Sequence, residues 1–133
     1  MTITATLRNT THGNEIELRT DGNAKELSLP SKIAGQGSAV NGGELLFLAI
    51  ATCFCNDIYR EAARRNILIR SVEVKVWGEF GSEGQPASYI DYSASIDTDA
   101  SEEMIADLVT QVDHIAEIHN TLRQGISVNF KKS

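Results

Sequence analysis

The segment that most constrains the fold is a stretch from about residue 43 to 65 with the composition of a buried helix. Its first half is almost free of polar side chains, whereas its end carries several, including Arg60, Arg64 and Arg65. Cations suit the C-terminal end of a helix dipole. A helix that is apolar nearly all round must be covered by its own core or by a second subunit. We therefore predict a long central helix.

Short alternating segments precede this helix and predict three antiparallel strands. Turns are expected at Thr11-His12-Gly13-Asn14 and at Asp21-Gly22. The glycine-rich residues 31–43 lack any periodicity and predict a loop. The apolar positions that define the three strands are Ile3, Ala5, Leu7, Ile16, Leu18, Leu27 and Leu29.

A hairpin, a second helix and a final strand are predicted after the central helix. Residues 72–79 and 90–96 alternate on either side of the loop Gly81–Pro86, and Ser101 or Asp99 can cap the second helix. A short helical piece follows, and the alternation of Ile126, Val128 and Phe130 predicts a closing strand. This order of elements is typical of an α+β fold, and 133 residues suggest one domain, 1–133.

The charge and the N-terminus narrow the class of partner. The net charge is −6, with 18 acidic and 12 basic residues, so nucleic acid and anionic membranes are disfavoured as partners. The first residues lack the charged-then-apolar layout of a signal peptide. We expect a cytoplasmic protein, where thiols are reduced, with no nucleotide cofactor, because the glycines do not form a dinucleotide fingerprint.

Cys53 is the candidate reactive residue. Taken alone, a free cysteine inside an apolar helix is most often a small buried hydrophobe. Two stretches of the sequence are more specific. The first contains Cys53 and reads Asn41-Gly-Gly-Glu-Leu-Leu-Phe-Leu-Ala-Ile-Ala-Thr-Cys53-Phe, and the second reads Asn120-Thr-Leu-Arg-Gln-Gly-Ile-Ser-Val. Both stretches resemble the OsmC/Ohr family of thiol-dependent peroxidases. The resemblance implies an OsmC-like fold with antiparallel sheets around a long central helix, in an intertwined homodimer, and it places Cys53 at the peroxide-attacking cysteine.

The same resemblance suggests the partners of Cys53. The family lowers the pKa of its thiol with an arginine from the N-terminal strands; here Arg8 is favoured and Arg19 is the alternative. Glu44 corresponds to a glutamate that helps to hold that arginine in an intersubunit site. Glu44 precedes Cys53 by nine positions, half a turn out of phase, so it would act from the partner chain. The alternative is a glutamate favoured only by the helix dipole.

The second cysteine of the family's redox cycle is missing. Ala116 occupies its place, in the stretch Ala116-Glu-Ile-His-Asn-Thr-Leu. An oxidised Cys53 would then need an external thiol reductant or would over-oxidise. Cys55 is about 200° away from Cys53 around the helix, so we assign it to packing.

His114 and His119 do not predict a metal site. Helical zinc-binding histidines usually lie four positions apart, whereas these are five apart, and no Cys/His/carboxylate cluster is visible in the sequence. His119 is expected to be a surface histidine, with lining of the pocket as the alternative.

Two functions remain open. The first is reduction of organic hydroperoxides by Cys53, with Glu44 and an arginine. The second is a non-catalytic OsmC-like protein that binds a small hydrophobic ligand in the dimer pocket.

Overall fold

The computed structural model describes residues 1–132, which form two compact units divided after Leu45. The strands are β1 (Ile3–Thr10), β2 (Gly13–Thr20), β3 (Asn23–Glu26), β4 (Ile69–Phe80) and β5 (Ala87–Thr98), and the helices are α1 (Gly42–Arg64), α2 (Glu102–Ile115) and α3 (Glu117–Gln124). The predicted α+β class is confirmed.

The first unit contains an antiparallel sheet in the order β1-β2-β3. Its second turn has two residues in the left-handed region, Asp21 (φ 48°) and Gly22 (φ 86°), so Thr20 pairs directly with Asn23. This is the two-residue turn whose twist matches antiparallel strands. The third strand was predicted around Leu27 and Leu29, and that was wrong, because such a tight turn starts the pairing at Asn23.

The long helix agrees closely with its predicted range of 43 to 65. Its N-terminus is closed by a capping box, in which Asn41 and Glu44 each accept a hydrogen bond from the other's backbone N–H group. Its C-terminus is a Schellman motif around Asn66 (φ 55°), with the Ile67 N–H group bonded to the Ala62 carbonyl. Both ends of α1 are therefore specified by local sequence.

The second unit is built around the β4–β5 hairpin and the helices. The predicted loop Gly81–Pro86 does separate the two strands, and Ser101, the first of the two candidate caps, accepts from the Met104 N–H group. The buried core consists of Phe54, Ile58, Ala62, Ile67, Leu108 and Val112, with the inward residues of β4 and β5 packed against it.

Among residues 1–132, one stripe of α1 is buried. Ile50, Phe54, Ile58 and Ala62 recur every four residues and are almost inaccessible to solvent. Leu48 on another face is 59% exposed. The expectation that a second subunit covers such residues stays a prediction.

The predicted closing strand was wrong. Ile126, Val128 and Phe130 belong to no strand, and the last two are 98% and 94% exposed. Alternation shows that a segment suits a strand, but a strand forms only where a partner edge is available, and within residues 1–132 none pairs with this one. In the same part of the chain, no helix combines the length and hydrophobicity needed to cross a bilayer.

Candidate active site

Cys53 lies in the middle of α1, half-buried beside the core residue Phe54. One turn later on the same face is Asp57, and the Cys53 thiol donates a long hydrogen bond of 3.9 Å to Asp57 Oδ2. The i, i+4 spacing brings the two side chains together, as it does for any such pair on a helix. The thiol is therefore held against a carboxylate of its own helix.

Several groups act on the pKa of the Cys53 thiol. Burial is the largest effect and raises that pKa, and the carboxylates of Asp57 and Glu117 raise it further. The backbone N–H groups of Ile118 and Glu117, at the start of α3, act in the opposite direction by hydrogen bonding to the thiolate. The overall pKa is raised, so the surroundings of Cys53 in its own unit favour a protonated thiol, in contrast to the low pKa that is usual for a nucleophilic cysteine.

Asp57 is the most deeply buried carboxylate of the site, with 3% of its surface exposed. Burial raises its pKa, and so do the nearby charges of Glu117 and Glu61, whereas Arg60 and His119 lower it. The Arg60 Nη1 atom lies 3.0 Å from Asp57 Oδ1. That ion pair is 44% exposed on its arginine side and does not offset the burial. Asp57 therefore holds a proton more readily than an ordinary aspartate.

Glu117 completes a small group of donor atoms. Cys53 Sγ and one carboxylate oxygen each from Asp57 and Glu117 all lie within 4.8 Å of one another. The sequence-based statement that no Cys/His/carboxylate cluster exists was wrong, because α3 returns to α1 from far along the chain. The spacing would admit a divalent cation, but Asp57 already forms an ion pair with Arg60, and we assign no metal to the cluster.

His119 is buried and was wrongly expected at the surface. It is only 5% exposed, and its ring packs against Tyr92 and Phe54, with centroids 4.7 and 5.8 Å away. Within residues 1–132 neither ring nitrogen has a hydrogen-bond partner. Burial lowers the pKa of His119, which favours the neutral imidazole.

An outer network continues from Tyr92. Its hydroxyl donates to the Asp113 carboxylate, which also receives a hydrogen bond of 2.8 Å from Arg123 Nη2. The hydrogen bond from Tyr92 is the largest effect on the pKa of Asp113 and lowers it. These contacts join β5, α2 and the last turn of α3.

The two candidate arginines lie on exposed strand surfaces in the first unit. Arg8 is near Glu15 of the neighbouring strand, at 3.7 Å, and Arg19 binds Glu17 at 2.6 Å. All four side chains are largely solvated. These are the contacts of ordinary strand charges, and the pairing of either arginine with Cys53 stays a prediction.

Glu44, Cys55 and Ala116 have clear local roles. The Glu44 carboxylate closes the capping box with Asn41, so helix capping accounts for it within the chain. Cys55 borders a shallow groove with Thr52 and Val74, on a helix that is unbroken between the two cysteines. Ala116 is fully buried at the junction of α2 and α3, directly before the N–H groups that act on Cys53.

Asp57 and Glu117 are the site residues that the sequence analysis missed. The spacing Cys53-x-x-x-Asp57 was visible and could have identified the first, because residues four apart share a helix face. Nothing in the sequence signalled the second, whose position depends on how α3 packs.

The sequence matches the family described as OsmC-like protein over residues 35–131. The chain belongs to the OsmC-like family. The comparison with curated proteins gave no match.

Solved structures of OsmC-like proteins share the fold. An OsmC-like protein from Mycoplasma pneumoniae is 22% identical, with 94% of this chain and 87% of that chain covered and a TM-score of 0.64. The organic hydroperoxide resistance protein OhrB of Bacillus subtilis is also 22% identical, covering 94% and 93%, with a TM-score of 0.56. An organic hydroperoxide resistance protein OsmC from Legionella pneumophila is 21% identical, covering 92% and 90%, with a TM-score of 0.59. At these identities the likeness establishes the OsmC-like fold alone.

Proposed function

We propose that this chain reduces organic hydroperoxides with Cys53 as the nucleophile. The observation that carries the proposal is the half-buried Cys53 thiol, which donates a hydrogen bond of 3.9 Å to the Asp57 carboxylate. Membership of the OsmC-like family supports it, because solved relatives of the same fold are named as organic hydroperoxide resistance proteins.

The chemistry is a two-electron oxidation of sulfur. The Cys53 sulfur attacks one peroxide oxygen, the O–O bond breaks, and the products are a sulfenic acid on Cys53 and an alcohol. Because Ala116 carries only a methyl group, we propose that an external dithiol reduces the sulfenic acid, releasing water and regenerating the thiol. The cycle consumes one peroxide and one dithiol.

We further propose that the working form is a homodimer, in which Glu44 of the second copy and Arg8 or Arg19 complete the site. The exposed Leu48 on α1 and the exposed apolar residues 126–130 support an assembled form. Light scattering at micromolar concentration should give twice the 14.5 kDa chain mass. A stable monomer would remove the shared site from the proposal.

The direct test is consumption of an organic hydroperoxide in the presence of a dithiol. Cys53→Ser should abolish the activity, and Cys55→Ser, a matched change two residues away, should retain it. Activity that survives in Cys53→Ser would refute the proposal. Arg8→Ala and Arg19→Ala in the same assay identify which arginine contributes.

The raised pKa of Cys53 favours a second candidate, a non-catalytic protein that binds a small hydrophobic molecule. That candidate predicts slow iodoacetamide labelling of Cys53, no faster than Cys55, and no peroxide consumption by the wild type. The peroxidase proposal predicts consumption that depends on Cys53.

A further inference from the structure

We propose that Asp57 is the proton carrier of the reaction, taking the proton from the Cys53 thiol and delivering it to the oxygen that leaves the peroxide. This inference rests on the proposed function and adds to it a residue that the sequence reasoning did not consider. It starts from the contact between Cys53 Sγ and Asp57 Oδ2, at 3.9 Å on adjacent turns of α1.

The reaction needs such a carrier because it both releases and consumes a proton. Sulfur attacks as a thiolate, so the thiol proton must leave. The oxygen lost from an alkyl hydroperoxide is an alkoxide, a poor leaving group unless it is protonated as the O–O bond breaks. One base beside the thiol can perform both steps, giving RSH + R′OOH → RSOH + R′OH with no net proton released.

The environment of Asp57 suits this role. The carboxylate is 3% exposed, so its proton exchanges with the site more readily than with bulk water. The groups that face it are Cys53, Arg60 and Glu61 on α1 and Glu117 and His119 on α3. Burial and the two glutamates outweigh Arg60 and His119, which raises the pKa of Asp57 toward the range useful in general acid–base catalysis.

The start of α3 provides the complementary contribution. The N–H groups of Glu117 and Ile118 stabilise negative charge on Cys53 Sγ. Once Asp57 has accepted the proton it is neutral, so it no longer repels the thiolate. The thiol thus ionises as the proton moves to its neighbour, without the need for a low resting pKa.

Substrates with different leaving groups separate this role from a structural one. An alkyl hydroperoxide expels an alkoxide, which needs the proton, whereas a percarboxylic acid expels a carboxylate, which does not. We expect Asp57→Asn to slow reduction of tert-butyl hydroperoxide by about 10²-fold, the lower end of general acid–base effects. Reduction of peracetic acid and iodoacetamide labelling of Cys53 should slow less, because each loses only the base that takes the thiol proton and releases a leaving group that needs no proton.

Two further variants complete the experiment. Asp57→Glu keeps the carboxylate and should restore part of the alkyl hydroperoxide activity. Asp107→Asn removes an exposed aspartate that pairs with Arg65 at 2.8 Å and should behave as wild type. Losses of equal size in both peroxide activities and in labelling in Asp57→Asn would overturn the inference, and so would full retention of the alkyl hydroperoxide activity.

The wild type provides a test that does not depend on folding of a variant. Proton transfer in the rate-limiting step predicts slower turnover in D₂O for tert-butyl hydroperoxide and a smaller effect for peracetic acid. Equal isotope effects for the two substrates would overturn the inference. Failure of the proposed function is a distinct result, because either the wild type would consume no peroxide or Cys53→Ser would retain the activity, whatever Asp57→Asn does.

Discussion

Peroxide treatment should convert Cys53 to a sulfenic and then a sulfinic acid, and should not form a disulfide with Cys55. Both cysteines are free and both lie on the unbroken α1 helix. In an ideal helix their Cα atoms are about 5.4 Å apart, and their Cβ atoms point about 200° apart around the axis. A disulfide requires the Cβ atoms to approach to about 3.5–4.5 Å.

The cost of that approach follows from the residue between them. Phe54 has no exposed surface and contacts Tyr92 in the core. Unwinding α1 enough to join the two cysteines would withdraw Phe54, and loss of a buried phenylalanine costs about 3–5 kcal/mol. This corresponds to roughly a 10²- to 10⁴-fold bias against the disulfide. Oxygen addition should therefore dominate.

Intact-mass measurement after a small excess of peroxide distinguishes the products. The wild type should gain one and then two oxygen atoms, with peptide mapping placing them on Cys53. Ala116→Cys supplies the thiol expected in two-cysteine relatives and should instead give a loss of two hydrogens. Loss of two hydrogens in the wild type, with Cys53 joined to Cys55, would refute the reasoning.

Three further predictions concern stability. Leu108→Ala removes a fully buried core side chain and should lower the free energy of unfolding by about 2–5 kcal/mol in urea titration. A substitution at an exposed position should change that free energy little. Gly78→Ala should cost about 1–3 kcal/mol in the same assay, because a new Cβ would lie 2.5 Å from the Tyr89 carbonyl and 2.8 Å from the Phe47 ring. Asp57 has a raised pKa in the folded state, so the folded protein binds more protons and its stability falls as pH rises above the ordinary value of 3.8. The stability of Asp57→Asn relative to wild type should therefore increase from about pH 3.5 to pH 7, and a decrease would contradict the raised pKa.

The sequence was most informative where structure is set by local contacts. The long helix, its polar C-terminal end and the Gly81–Pro86 loop were predicted close to their observed positions. The reason is that each is specified by periodicity or by turn residues within a few positions. The family resemblance was likewise carried by contiguous stretches around Cys53 and Asn120, and the match over residues 35–131 confirmed it.

Prediction failed where the outcome depends on distant packing. His119 in α3 was expected at the surface, with lining of the pocket as the alternative. In the structure Leu122 is 41% exposed and His119 is 5% exposed. A helix of eight residues contains too few positions for its periodicity to fix a face, so its neighbours Phe54 and Tyr92 decide which side is covered. The position of Glu117 near Cys53 likewise depends on how α3 packs against α1 and not on a local sequence pattern.

The pKa values of Cys53 and Asp57 are raised by the same main cause, which is burial, and the two groups are in contact. A half-buried thiol with a raised pKa is protonated at neutral pH and is thereby protected from adventitious oxidation. A buried carboxylate with a raised pKa opposes folding once it ionises, so Asp57 is not explained by stability. Paired, the two groups let the thiolate form only when a proton moves between them and a peroxide accepts both the sulfur and the proton. The raised pKa of the thiol alone fits a packed cysteine as well, but its contact with the Asp57 carboxylate, whose pKa is also raised, is an arrangement found at reactive sites.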